Sequence, residues 1–116
     1  MTTHVGNVTI APDVLSTIVS LTAQDVEGVA RLGSVPNQQR VGSMLASSNA
    51  SSEGVAVRIV EDSVMADCYV VAKPHIQLLE LGERVQLAVQ EALNEMVGMP
   101  VRSVNVYIQD VEQSRE

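Results

Sequence analysis

Apolar residues between positions 76 and 97 recur every three or four places, as Leu78, Leu81, Val85, Ala88, Val89, Ala92, Leu93 and Met96, whereas those before and after alternate. A backbone that turns once in 3.6 residues and one that flips at every residue cannot meet the same spacing, so this chain must combine helices with strands. The spacing predicts a helix over about 76–97 with a broad apolar face. Gly98 supplies a C-terminal stop, Pro100 blocks continuation, and Glu80 and Arg84 form a favourable pair one turn apart on the polar side. An earlier helix over about 12–26 carries Val14, Leu15, Ile18, Val19, Leu21 and Thr22 at the same period. Pro12 suits its first position, Asp13 complements the helix dipole there, and Gly28 is a plausible stop.

Alternation marks the strands. Val5 to Ile10, with Gly6, Val8 and Ile10 on one side, reads as a short strand, and Val29 to Leu32 as another. Two longer runs meet at a Glu61-Asp62-Ser63 turn: Val55, Val57 and Ile59 share a face in the first, and Val64, Ala66, Cys68, Val70 and Ala72 in the second. Lys73-Pro74-His75 ends that run, and a last strand, Val101 to Ile108, turns Val104, Val106 and Ile108 inward. The expected fold class is therefore α+β, a mostly antiparallel sheet with two amphipathic helices packed on one face, since each helix has a single apolar stripe to bury. Residues 1–116 are expected to form a single domain interrupted by a flexible polar loop at 33–53, in which only Val41, Met44 and Leu45 could dock onto anything.

With no Phe or Trp and only two Tyr in a chain that is 46% hydrophobic, the core must be aliphatic. Such a core buries less area per residue, which suggests modest stability alone or support from self-association. A net charge of −7, from 14 acidic and 7 basic residues, opposes nucleic acid and anionic lipid. The N-terminus lacks signal-peptide character and no apolar run approaches membrane-spanning length, so a cytoplasmic protein is expected, and the glycosylation patterns at Asn7 and Asn49 carry no meaning.

If the helices cover the face bearing Val57, Cys68, Val70 and Val106, the opposite face carries Arg58, Asp67, Tyr69, Ser103, Asn105 and Tyr107. Both aromatic residues of the chain fall there. It reads either as an ordinary wet sheet face or as a contact surface for a protein partner or a second copy, Tyr being rich in binding energy. A single-stranded RNA platform is the alternative, but only Arg58 and Arg102 lie near to pair with phosphates. Catalytic and metal sites find little support. Cys68, the only cysteine, alternates inward; His4 and His75 stand alone; Glu91 and Glu95 share a solvated helix face; Gly28, Gly33 and Gly42 make no phosphate loop. No enzyme activity, cofactor, metal or small-molecule substrate is expected.

Several stretches together resemble the bacterial alkaline shock protein family, also called the envelope stress response proteins. They are Gly6-Asn7-Val8-Thr9-Ile10-Ala11 leading to Val14 and Ile18, Val26-Glu27-Gly28-Val29-Ala30, and the hairpin Gly54 to Val71. Val85-Gln86, Val89, Ala92 and Met96-Val97-Gly98 then lead into Val101 to Ile108 and Val111. The resemblance implies a non-enzymatic cytosolic protein tied to envelope stress. Some relatives self-associate and sit beneath the membrane through a membrane-anchored partner. Lys73-Pro74-His75 stands where relatives usually carry a Gly-containing turn, and the serine-rich loop is long.

Overall fold

A computed structural model describes residues 5–36, 49–52 and 54–113. Helix α1 (Pro12–Gln24) is followed by strands β1 (Val29–Leu32), β2 (Asn49–Ser52), β3 (Val55–Val60) and β4 (Ser63–Ala72), helix α2 (Leu78–Met96) and strand β5 (Val101–Val111). The α+β class and the mostly antiparallel sheet hold. β1, β2 and β3 are laid antiparallel, while β5 returns parallel to β4 because a helix, and not a turn, connects them.

β4 is the centre of the sheet. One of its edges is taken by β5 along its whole length. The other is shared end to end: β3 pairs with Ser63–Cys68 and β1 with Val70–Ala72. The handover falls at Tyr69, whose N–H donates to the Gly54 carbonyl (2.8 Å) and whose carbonyl accepts from the Gly33 N–H (2.6 Å). β2 extends the sheet beyond β3.

The inner face of β4 (Val64, Ala66, Cys68, Val70 and Ala72) is fully buried, as alternation predicts. Over it α1 buries Leu15, Val19 and Ala23, and α2 buries Leu81, Val85, Val89 and Leu93. Each such fully buried Leu or Val contributes about 1.5–3 kcal/mol, enough for a four-residue stripe to hold a helix in place. Both apolar helix faces are narrower than their sequence suggests. Val14 and Leu21 point outward from α1, where the small Ser16 and Ser20 are buried instead, and Leu78 and Met96 lie exposed at the ends of α2.

Three further expectations are corrected. Val5 to Ile10 is not a strand: it pairs with no strand among the described residues, and Val5 and Val8 are exposed. Polar residues 49–52, read as loop, form β2 through backbone pairing with β3. Val35, within the same expected loop, is buried. His4, Val41, Gly42, Met44 and Leu45 lie outside the described residues.

Local conformation explains two connections. Glu61 (φ 50°) and Asp62 (φ 63°) form a two-residue hairpin turn with both central residues left-handed, the hand that matches strand twist, so Val60 faces Ser63. His75 also adopts a left-handed conformation (φ 65°), at the position where the resemblance leads one to expect a glycine turn.

Candidate functional site

The face of the sheet away from the helices is built from β3, β4 and β5 in register. Arg58 stands opposite Met65, Asp67 opposite Asn105, and Tyr69 opposite Tyr107. The pairs are chemically matched across the strands. Asn105 Nδ2 donates to Asp67 Oδ1 (2.9 Å), and Arg58 Nη2 approaches Met65 Sδ (3.7 Å). The rings of Tyr69 and Tyr107 stack with centroids 4.8 Å apart and planes within 12°. Such cross-strand pairs hold side chains in one arrangement before anything docks. Four of the expected residues, Arg58, Asp67, Asn105 and Tyr107, are thus brought together as an open patch. Among the described residues, no helix covers it.

Tyr69 is different. It is on this face but only 4% exposed, whereas Tyr107 is 45% exposed. Its burial accompanies a crossing of the sheet that the sequence does not announce. β1 lies on one side of β4 and β5 on the other, yet Ser34, two residues past β1, is joined to Gln109 of β5. The Ser34 N–H donates to Gln109 Oε1 (2.9 Å), and Gln109 Nε2 donates to the Ser34 carbonyl (2.9 Å). The Gln109 side chain therefore acts as a short strand for the segment after β1, and Val71 beside Tyr69 is buried as well. Gly33 permits the approach, since a Cβ there would meet Gln109 Oε1. The exposed ring of the tyrosine pair is that of Tyr107, and Tyr69 is the base on which it lies. The signal for Gln109 was faint: the apolar alternation of β5 fails after Ile108, where the register with β4 shifts.

Cys68 is on the inner face, fully buried, and its thiol is pushed up to about 12 by burial, with the charge of Asp67 adding to the effect. A group so placed holds very little thiolate at neutral pH. Labelling of the native chain by a thiol reagent is expected to be far slower than that of the urea-unfolded chain, because the buried thiol is shielded from the reagent and held protonated. Equal rates in the two states would place Cys68 at the surface. His75 is exposed at its turn, and no cluster of three or more His, Cys, Asp or Glu with metal-site geometry occurs among the described residues. Arg84 binds Glu80 (2.7 Å) on the wet side of α2, as expected, and its guanidinium pKa is raised by that hydrogen bond.

A family model described as the alkaline shock protein 23 family, with cell envelope-related function, matches residues 1–113. The chain is 30% identical over 111 residues to the uncharacterized protein YloU of Bacillus subtilis, covering 94% of this chain and 91% of that one. It is 26% identical over 116 residues to the uncharacterized protein YqhY of the same organism, covering 95% and 80%. Among solved structures, the MamM CTD in its copper form superposes with a TM-score of 0.53 at 16% identity, over 90% of each chain, a likeness of fold alone.

Proposed function

Because the chain belongs to the alkaline shock protein 23 family, whose function is cell envelope-related, we propose that it is a non-enzymatic scaffold that docks on a protein through its outer sheet face. The observation that carries this reading is the ordered patch around Tyr107: a half-exposed aromatic ring stacked on a buried one, beside the fixed Asp67–Asn105 pair. A patch held in place before binding loses little side-chain freedom on docking, and Tyr is a residue that anchors such contacts. The protein is assigned to the cytoplasm as one domain. No helix among the described residues is long and apolar enough to cross a membrane, and contact with the envelope is assigned to a membrane-anchored protein partner. The alternative RNA platform has no observation in its favour: the patch carries a carboxylate at Asp67 and the chain a charge of −7.

A photo-crosslinking amino acid at position 107 tests the assignment in cells, with position 91 on the exposed side of α2 as the control. Protein adducts from 107 and none from 91 are the expected outcome. Identical adducts from both positions, or none from 107, would overturn the face, and adducts to RNA would move it to the alternative reading.

A further inference from the structure

α1 and α2 pack against each other on the inner face of the sheet, and between the end of α1 and the middle of α2 the surface opens into a cleft of about 780 Å³. Leu21, Thr22, Gln24, Asp25 and Val26 line it from the side of α1, and Ala88 of α2 forms the opposite wall. Helix periodicity puts Ala88 on the flank of α2 away from Gln86, whose side chain bonds to β5. The cleft is therefore separate from the edge of β5 and on the other side of the sheet from Tyr107.

Three features of the cleft agree on the chemistry it would hold. The first is apolar surface. Leu21 is 62% exposed at the rim, and the half-buried Val26 and Ala88 lie deeper. The second is unpaired negative charge. Asp25 lines the cleft and Glu27 follows it, both exposed, and neither forms an ion pair among the described residues. Arg84, the one cation of either helix, is already bound to Glu80 (2.7 Å) and to the Glu27 carbonyl (3.4 Å). The third is unused acceptors. The backbone of α1 ends at the cleft, and the carbonyls of Gln24 and Asp25 accept no backbone N–H among the described residues. They form the negative end of the helix dipole, and no Lys or Arg in the last turn of α1 offsets it.

An apolar floor with a negative rim complements a segment whose apolar side chain is flanked by Lys or Arg. Phosphates and anionic lipid are repelled by the same rim. This chain has no such segment of its own: its seven Lys and Arg are scattered singly, the nearest two being Arg31 and Arg40. We propose that the cleft at the end of α1 is a second docking site, for a basic amphipathic segment of another protein. The apolar side chain of that segment covers Leu21 and Ala88, and its Lys or Arg donates to the Asp25 carboxylate and to the free carbonyls beside it. Apolar anchors in a groove supply the affinity, and charge at the rim selects the partner. The cleft is on the helical side of the molecule, so this inference and the docking role of Tyr107 stand or fall separately.

Fluorescence anisotropy of a labelled synthetic peptide, with leucines on one helical face and lysines flanking them, tests the assignment against the full chain. The unaltered chain is expected to bind this peptide saturably, and to leave unbound the same peptide with glutamates for lysines. Asp25→Lys and Leu21→Asn are each expected to weaken binding by about tenfold or more. Glu91→Lys changes the net charge as Asp25→Lys does, but it lies a turn beyond Ala88 and outside the lining. It is expected to alter binding by less than about twofold, a difference that attraction by net charge alone would not produce. All three positions are exposed, so unchanged circular dichroism is expected of each variant. No binding by the unaltered chain, or equal losses from Asp25→Lys and Glu91→Lys, would overturn the proposal. So would a loss with Tyr107→Asp and none with Asp25→Lys, which would seat the peptide on the outer face and leave the docking reading standing. Binding that depends on Asp25 while position 107 yields no protein adduct would support the cleft and remove the docking reading.

Discussion

Gly54→Ala is expected to lower the free energy of unfolding by about 3 kcal/mol, one part from forcing a Cβ into a left-handed backbone and a larger part from overpacking. Gly54 has φ +70°, and an added Cβ would sit 2.6 Å from the Leu32 Cβ, 3.0 Å from the Tyr69 carbonyl and 3.1 Å from the Gly33 nitrogen. None of these is the free end of a flexible side chain. They belong to the place where β1 and β3 meet on the edge of β4, so relief in one direction strains a hydrogen bond in another. Gly98→Ala is the control. Its φ is +79°, but nothing lies within 4 Å of the new Cβ, so only the backbone cost of about 1 kcal/mol applies. Urea unfolding of the two variants separates the contributions. Equal losses in both would mean that the handover at Tyr69 is looser than its contacts imply.

The second large effect divides the tyrosine pair. Tyr69→Asp is expected to cost 4 kcal/mol or more, on the order of what burying an unpaired carboxylate imposes, and so to leave the chain largely unfolded. Tyr107→Asp, at a half-exposed site, is expected to cost about 1 kcal/mol or less and to act on docking. Circular dichroism and urea unfolding distinguish the two variants directly. Similar stability losses at both positions would show that the segment after β1 does not shield Tyr69.

Much of this architecture is legible in period and spacing. β3, α2 and β4 as far as Cys68 declare themselves because their burial has only one source, the inner face of the sheet, and period follows burial. Cys68 could be placed inward by alternation alone. What escaped the sequence depends on partners far along the chain. Val5 to Ile10 has the alternation of a strand, yet it meets no partner strand among the described residues, and alternation alone does not record whether a partner is met. Asn49–Ser52 shows the converse: four residues poor in strand-forming side chains become β2 because β3 offers backbone groups. In the candidate site, alternation alone is enough to put Arg58, Asp67, Asn105 and Tyr107 on one face. The burial of Tyr69 was not legible, since it accompanies a bond between residues 34 and 109 that neither segment signals alone.

The central position of β4 also bears on how the chain is made. Its partners come from both directions in sequence: Val29 pairs with Ala72, and Val64 with Val101. β5 follows β4 in the chain with all of α2 between them, so a nascent polypeptide emerging from the ribosome displays β4, the most buried strand of the finished sheet, with one edge unpaired until synthesis of β5 is complete. Pairings between distant segments are slow to form, and an unfinished apolar edge invites association with other unfinished chains. The parallel return of β5, with a whole helix between it and β4, makes that interval unavoidable.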